Sequence, residues 1–304
     1  MIGSTLNKRY EVRSLLGEGG MAAVYLAFDM ATKTEVALKT IHPHLELTEK
    51  RRARLAGEFC ILSMLSHHAI VRGLDLYADN DEAPFFTMEL VAGLPLEQRL
   101  NKLQLQGSLH EPSVVSELLR LLCELAEALN YIHSKGIIYC DLKPSNVLLV
   151  GRTEEITEAH IKLIDFGISR IEEKQELEAV GTSLYNSPEQ IRNERLDCRS
   201  DIYSFGISAF ELITGALPFK SENHYSAAQS HFFEQVPSAV VQNRAVSPTL
   251  DRMLRVCMKK EPSERYQSMK EVVQRLTVEM HMKQRPPLLK RITAPILNFL
   301  KSYS

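Results

Sequence analysis

Residues 139–146 read Tyr-Cys-Asp-Leu-Lys-Pro-Ser-Asn, and residues 165–167, after a strand-like interval, read Asp-Phe-Gly. One short loop therefore carries a carboxylate, an ammonium and an amide, and a later turn adds a second carboxylate. These groups belong to Asp141, Lys143, Asn146 and Asp165. Together they can hold a magnesium-bound phosphate next to a hydroxyl nucleophile. A solvated turn is the alternative interpretation of the loop taken alone.

Each of the four groups has a chemical role in such a site. Asp141 can accept the proton of a substrate hydroxyl, and Lys143 can reach the transferring phosphoryl group. Asn146 can ligate a metal, and Asp165 offers the hard carboxylate oxygen that magnesium prefers.

The composition indicates a globular chain with a large core. Of its 304 residues 44% are hydrophobic, and the net charge of −2 gives no overall attraction to nucleic acid or anionic lipid. Five scattered cysteines without a Cys-x-x-Cys spacing predict neither a disulfide framework nor a zinc site. The first residues lack the features of a signal peptide, and no apolar run reaches the roughly 18 residues that a bilayer span requires. We therefore expect a cytoplasmic protein with no nucleic-acid partner.

Strand patterns dominate residues 10–91. Short β-branched or aromatic runs lie at 24–28, 36–41 and 85–91, and one helical segment lies at 48–65. This region is predicted to form a small sheet with one helix.

Helical patterns dominate residues 92–280. Apolar residues spaced three and four apart predict one face of a helix that ends near Gly136: Val115, Leu118, Leu122, Leu125, Leu129 and Ile132. Two short strands, 147–150 and 161–164, flank a polar insert at 151–160. Further helices are predicted at 201–214, 249–258 and 269–280. The predicted fold class is α+β, with a small β-rich unit and a larger helical unit that meet near Ala92.

A glycine-rich segment, 17–24, lies between two strand-like runs. Glycines such as Gly17 and Gly19 let the backbone fold close over phosphates and offer its N–H groups to them. A glycine-rich hairpin turn is the alternative. Ala22 stands where a third glycine is usual in phosphate-binding loops, so its methyl group restricts the loop tip.

Lys39 ends the run Val-Ala-Leu-Lys, where a buried ammonium needs an anionic partner. Glu58 lies nineteen residues later on a largely apolar helical stretch and is the preferred partner. Glu46 and Glu49 lie too early in that segment. The alternative for Lys39 is a lysine at a strand edge with its ammonium in water.

In their order along the chain these motifs resemble those of eukaryotic-type (Hanks-type) serine/threonine protein kinases, and are most similar to the bacterial members. The resemblance runs from about Tyr10 to Met280. It implies a bilobal fold with a small lobe at 10–91 and a large lobe at 92–280. It also implies ATP and Mg²⁺ as cofactors, and a protein substrate with a serine or threonine acceptor.

The resemblance also implies roles for single residues. Gly17, Gly19 and Val24 would cover the nucleotide, and Lys39 would contact the α and β phosphates while paired with Glu58. Asp141 and Lys143 would be catalytic, and Asn146 and Asp165 would hold magnesium. The adenine contacts would come from the gatekeeper Met88, the backbone of Glu89 and Val91, and the sandwiching side chains Ala37 and Leu148.

Four further positions follow from the same resemblance. Glu189 would pair with Arg265, Asp201 would hold the catalytic loop from behind, and Thr182 would bridge Asp141 and Lys143. The sequence around Thr182 is typical of serine/threonine rather than tyrosine kinases.

Residues 139–141 read Tyr-Cys-Asp, where the family has His-Arg-Asp. A tyrosine can keep the packing role of the histidine against Phe166, but Cys140 cannot pair with a phosphorylated activation loop. Residues 171–180 contain no hydroxyl side chain and four glutamates. We therefore expect activity without activation-loop phosphorylation, and a merely solvated, charged loop at these residues is compatible with that expectation.

The segment 281–304 carries five basic residues and no acidic one, with apolar residues for one helical face. It predicts an amphipathic helix that contacts a membrane or a partner, with docking on the chain's own surface as the alternative. The sequence makes no prediction of oligomeric state. Two alternatives to a protein kinase are a pseudokinase-type binding scaffold and a small-molecule phosphotransferase of related fold.

Overall fold

The computed structural model describes residues 1–78, 83–151, 159–171, 184–219 and 224–284. The chain forms a small lobe built on an antiparallel sheet and a larger, mainly helical lobe.

The small-lobe sheet has six strands in the order β1-β2-β3-β4-β6-β5. They are β1 (Thr5–Leu6), β2 (Tyr10–Glu18), β3 (Ala22–Asp29), β4 (Thr34–Ile41), β5 (Gly73–Tyr77) and β6 (Phe85–Glu89). Buried and half-buried side chains alternate along β3, as expected for a strand with one face on the core, and β4 is buried from Val36 to its end. The predicted strands 24–28 and 36–41 are confirmed within β3 and β4.

Two strand predictions differ from the structure. The run predicted at 85–91 ends as a strand at Glu89, because the chain leaves the sheet there to enter the large lobe. β5 was not predicted, since all five of its residues are half-buried and give no clear apolar pattern.

The helix of the small lobe, α1 (Glu49–Ser63), confirms the predicted segment 48–65. The Thr48 side chain caps its first turn by accepting a hydrogen bond from Arg51 N, at 3.4 Å. Its buried residues are Leu55, Glu58, Ile61 and Leu62. The single charged member of this set, Glu58, points toward the sheet.

The core of the large lobe forms around a long helix. After β7 (Gly93–Pro95) come α2 (Leu96–Leu105) and α3 (Pro112–Ser134). All six residues of the predicted apolar face of α3 are buried. The helix ends as predicted, and Gly136 follows it with a φ of +67°, which a glycine adopts without strain.

Short strands lie where the two lobes meet. They are β8 (Ile137–Ile138), β9 (Val147–Val150), β10 (His160–Leu163) and β11 (Arg170–Ile171). β7, β9 and β10 form one antiparallel sheet, and β8 pairs with β11. β10 begins one residue before the predicted strand, and most of the predicted insert between β9 and β10 lies outside the described residues.

The remaining helices complete the large lobe. They are α4 (Pro188–Ile191), α5 (Cys198–Thr214), α6 (His224–Phe233), α7 (Ala239–Gln242), α8 (Pro248–Cys257) and α9 (Met269–Gln284). α5 begins before the predicted Asp201, because Asp197 caps it by accepting a hydrogen bond from Arg199 N at 2.8 Å.

α8 and α9 confirm two further predicted helices. α9 continues past the predicted end at Met280, so residues 281–284 belong to this helix, and 285–304 lie outside the described residues. No helix in the described ranges is long and apolar enough to cross a bilayer. The change from sheet to helices falls between Glu89 and Leu96, and we keep Ala92 as the proposed boundary between lobes.

Candidate active site

A cavity of about 790 Å³ lies between the lobes. Most of the residues singled out by the sequence line it: Gly17, Gly19, Val24, Ala37, Lys39, Glu58, Met88, Glu89, Val91, Asp141, Asn146, Leu148 and Asp165. Lys143 lies beside this group, against Asp141. The structure therefore brings the predicted nucleotide, catalytic and metal residues to one cleft.

An ion triad joins the small lobe to the turn that holds Asp165. Lys39 Nζ lies 2.6 Å from Glu58 Oε1 and 2.8 Å from Asp165 Oδ1. The Lys39 and Glu58 side chains are buried, whereas that of Asp165 is 44% exposed and faces the cleft. The predicted pairing of Lys39 with Glu58 is confirmed, and the contact with Asp165 joins residues 126 positions apart.

The pKa shifts of the triad follow from burial and from the pairing. Burial disfavours the ammonium of Lys39, but the charges of Glu58 and Asp165 outweigh this effect and raise its pKa. Partial desolvation by the surrounding protein disfavours the carboxylate of Asp165, although it faces the cleft, yet the ammonium of Lys39 keeps the pKa of Asp165 below its ordinary value. Burial, together with the charge of Asp165, raises the pKa of Glu58.

The catalytic loop, residues 139–146, is organised around the Asp141 carboxylate. Asn146, in a 3₁₀ turn (Pro144–Asn146), donates from Nδ2 to the backbone oxygen and to Oδ2 of Asp141, each at 2.9 Å. Lys143 Nζ lies 2.9 Å from the same Oδ2. Since the Asn146 nitrogen is engaged with Asp141, a metal contact from Asn146 would come from its amide oxygen.

Asp201 supports this loop from behind, as predicted. Its fully buried carboxylate accepts hydrogen bonds from the backbone N–H groups of Tyr139 and Cys140, both at 2.8 Å, and lies 2.7 Å from His133 Nε2. Cys140 has a φ of +68°, in the left-handed region that non-glycine residues seldom adopt. The two bonds to Asp201 compensate the cost of that conformation just before Asp141.

Tyr139 packs where the family has a histidine. Its ring meets that of Phe166 edge to face, with centroids 5.0 Å apart, and its hydroxyl donates to the backbone oxygen of Ile164. The predicted packing role against Phe166 is confirmed. The hydroxyl contact adds a second link between the catalytic loop and the Asp165 turn.

The Cys140 thiol is buried, and its hydrogen bond within the described part of the chain is weak. Its Sγ lies 3.6 Å from the Ile138 oxygen, and burial raises the pKa of the thiol well above its ordinary value. Gln190 Nε2 donates to the Cys140 backbone oxygen at 2.8 Å. The contact of α4 with the catalytic loop is therefore a neutral hydrogen bond, which sequence reasoning missed because Gln190 lies 50 positions away.

Glu189 and Arg265 form a two-pronged ion pair. Arg265 Nη1 and Nη2 donate to the two Glu189 carboxylate oxygens at 2.7 and 2.8 Å, and both side chains are buried. Ser200 also donates to Glu189, and these bonds to the charged form keep the pKa of Glu189 lowered against the effect of burial. The predicted pair is confirmed and ties α4 to the segment between α8 and α9.

The segment that joins the lobes lines the cleft at residues 88–91. Met88 is buried and pairs with Ala37 across β4 and β6. The Glu89 backbone N–H donates to Arg72 O at 2.9 Å, and its carboxylate accepts from Arg72 N and from Lys162 Nζ. The Glu89 side chain is therefore engaged in fixing the strands where the lobes meet.

Sequence reasoning missed several residues of the cleft. Gly93 is required by packing, since a Cβ there would lie 2.5 Å from the Leu149 backbone oxygen. Arg54, one helical turn before Glu58, lines the cavity and donates from Nε to the Gly167 oxygen at 3.1 Å. Its spacing of four from Glu58 was the available signal, because such residues share a helix face.

Comparisons with known proteins agree with this geometry. The family model described as "Protein kinase domain" matches residues 10–276. The serine/threonine-protein kinase PksC of Streptomyces coelicolor is 36% identical over 86% of this chain and 47% of its own length. The serine/threonine-protein kinase pkn3 of Myxococcus xanthus is 33% identical, over 87% and 48%.

A third relative, the serine/threonine-protein kinase PknB of Mycobacterium tuberculosis, is 31% identical over 95% of this chain and 46% of its own length. The chain thus spans about half the length of these curated relatives.

Proposed function

The chain belongs to the protein kinase domain family, and we propose that it transfers the γ-phosphoryl group of magnesium-bound ATP to serine or threonine hydroxyls of protein substrates. The observation that carries this proposal is the Lys39–Glu58–Asp165 triad, facing Asp141 and Asn146 across one cleft. Its bacterial relatives, named serine/threonine protein kinases, support the acceptor class.

The residues of the cleft fit a magnesium–nucleotide complex. Asp165 and Asn146 would hold the metal through a carboxylate and an amide oxygen, the hard ligands that magnesium takes. Magnesium, when bound, neutralises charge on the transferring phosphoryl group. Lys39 would bind the α and β phosphates, because Glu58 fixes its ammonium at the inner end of the cleft.

The proposed acid–base role falls to Asp141. Its carboxylate is oriented by Asn146 and Lys143, so it can accept the proton of the substrate hydroxyl as the oxygen attacks phosphorus. Lys143 would then offset negative charge beside the acceptor. The proposed role of Thr182, between Asp141 and Lys143, falls on a residue outside the described ranges.

The nucleotide base is assigned to the outer part of the cleft. Ala37 and Leu148 would pack on the two faces of adenine, with Met88 behind it, and the backbone of Glu89 and Val91 would contact its edge. Gly17, Gly19 and Val24 would cover the phosphates. A hydrogen bond from Gly19 N to Ala22 O, at 2.9 Å, closes this loop tightly around its tip.

Incubation of the purified chain with [γ-³²P]ATP, magnesium and a generic basic protein tests the activity. We expect label on phosphoserine or phosphothreonine after acid hydrolysis, and none on phosphotyrosine. The Asp165→Ala variant serves as the negative control. Nucleotide binding without any transfer would contradict the proposal and support the pseudokinase alternative.

We further propose that activity does not depend on activation-loop phosphorylation. Cys140 offers no cation to a loop phosphate, and Gln190 instead ties α4 to the catalytic loop through a neutral bond. The hydroxyl-free run 171–180 lies, apart from Ile171, outside the described residues. Phosphatase-treated enzyme is therefore expected to keep its rate within about twofold of untreated enzyme, since no charge-assisted bond is lost.

The measurement needs mass spectrometry to verify that Ser169, Thr182 and Ser183 are unmodified after the treatment. If the treated enzyme were inactive and regained its rate only on phosphorylation of one of these residues, the proposal would be wrong. Arg170 would then be the nearest candidate for the cation that replaces the missing arginine.

A cytoplasmic location and a membrane or partner contact through residues 285–304 also stay proposals. The first depends on five scattered cysteines, and the second on the basic and apolar pattern of that segment.

A further inference from the structure

Arg54 connects three parts of the cleft that are distant in sequence. It lies on α1 four residues before Glu58, so both side chains leave the same face of the helix. Arg54 Nε donates to the backbone oxygen of Gly167 at 3.1 Å, and Nη1 lies 3.1 Å from the sulfur of Met21 at the tip of the glycine-rich loop. One guanidinium therefore contacts the Asp165 turn and the loop that covers the cleft.

The turn that receives this contact needs support. Asp165 has a φ of +63°, a left-handed conformation that is unfavourable for a residue with a side chain. Its carboxylate must nevertheless face both Lys39 and the cleft. A Cβ at Gly167 would lie 3.1 Å from Asp165 Oδ1 and 3.4 Å from Glu58 Oε2, so the backbone passes close to the triad. A bond to the Gly167 oxygen thus acts directly on the position of Asp165.

On the catalytic-loop side of the same turn, residue 140 is a cysteine and offers no guanidinium. Cys140 stands where the family pattern has arginine; its thiol contacts the Ile138 oxygen, and its backbone oxygen accepts a neutral hydrogen bond from Gln190 of α4. Arg54 approaches the turn from the opposite side, from the small lobe. Its bond to the Gly167 oxygen is charge-assisted.

We infer that Arg54 is a positioning residue that couples α1 to the Asp165 turn and to the glycine-rich loop. Through this contact it holds the Asp165 carboxylate in position beside Lys39 and Glu58. This inference rests on the proposed kinase function, because the position of Asp165 matters only if Asp165 holds magnesium during transfer.

Two substitutions and a matched control test the role. Arg54→Met removes both polar contacts, and Arg54→Lys keeps one donor for the Gly167 oxygen. Arg52→Met is the control, since two residues along a helix turn a side chain to nearly the opposite face and Arg52 does not line the cavity. Circular dichroism establishes folding, and Arg54→Lys replaces Arg54→Met if the latter does not fold.

Three readouts separate a positioning role from direct phosphate binding. For Arg54→Met we expect kcat to fall about tenfold or more, the effect of losing one hydrogen bond to a charged group. The Kd of a fluorescent ATP analogue should change less than about threefold, as expected for a residue that does not bind the nucleotide. Hydrogen exchange of the peptide 163–171 should accelerate by about tenfold, because the turn opens more often. Arg54→Lys should fall between wild type and Arg54→Met, and Arg52→Met should match wild type.

The outcomes that contradict the inference are distinct. Unchanged kcat and unchanged exchange would show that Arg54 is dispensable. A weakened Kd with unchanged exchange would make Arg54 a phosphate ligand. If Arg54→Lys lost as much kcat as Arg54→Met, loss of the bond to the Gly167 oxygen would not explain the lower kcat. An inactive wild type whose exchange still accelerates in Arg54→Met would instead contradict the proposed function and leave the coupling in place.

Discussion

Asp141→Asn is expected to slow phosphoryl transfer by about 10² or more and to leave nucleotide binding intact, as for the loss of a positioned general base. The substitution preserves size and shape, and the amide oxygen can still accept from Asn146 Nδ2 and Lys143 Nζ. It cannot take up the proton of the acceptor hydroxyl, however. The loss should therefore appear in kcat, measured in single-turnover transfer from ATP, and not in the Kd of a fluorescent ATP analogue.

Asp75→Asn is the matched control for this prediction. Asp75 lies on β5 in the small lobe, where it accepts a hydrogen bond from the Tyr10 hydroxyl at 2.8 Å and does not line the cleft. The control should change the rate of transfer by less than about twofold. Equal turnover by Asp141→Asn and wild type would remove Asp141 from the acid–base role.

Lys39→Met and Glu58→Gln are each expected to slow transfer by about 10², and the double variant should lose far less than the product of the two effects. The 2.6 Å contact between the two side chains makes each one dependent on the other. Lys39→Met should be the more damaging, because it leaves the buried Glu58 carboxylate and Asp165 without their shared cation. The measurement is kcat/KM for all four proteins at saturating magnesium.

An exposed ion pair in the same sheet provides the comparison. Arg13 Nη1 lies 2.9 Å from Glu35 Oε1, and both side chains are well exposed. A double-mutant cycle on Arg13 and Glu35 should show a coupling below about 1 kcal/mol in the free energy of unfolding. It should leave the rate of phosphoryl transfer unchanged. Independent, multiplicative losses at Lys39 and Glu58 would show that their contact does not serve the reaction.

Much of the fold follows from local sequence patterns. The buried face of α3 was predicted correctly because its apolar residues repeat at helical spacing and all pack on one core. Element ends were less predictable. α5 begins before Asp201 because of the Asp197 cap, and the strand at Phe85 ends at Glu89 because the chain turns into the large lobe.

The candidate site was also predicted only in part from the sequence. The motifs gave the residue types and their order, and the partner of Lys39 was found because a lone charge on a buried helix face needs compensation. Arg54 was missed, since its partners Gly167 and Met21 lie 113 and 33 positions away. Gln190 and Gly93 were missed for the same reason: their partners, the backbone oxygens of Cys140 and Leu149, are groups that every residue carries.

By itself, the sequence determined the α+β class, the order of the motifs, and the set of carboxylate, amide and ammonium groups for magnesium and phosphate chemistry. It also showed that Cys140 stands where the kinase family has an arginine. Only the tertiary structure decided how the lobes share these groups: Lys39 bridging Glu58 and Asp165, and Arg54 reaching Gly167. The physical reason is that motif spacing reflects local backbone geometry, whereas contacts across the cleft depend on how the two lobes pack against each other.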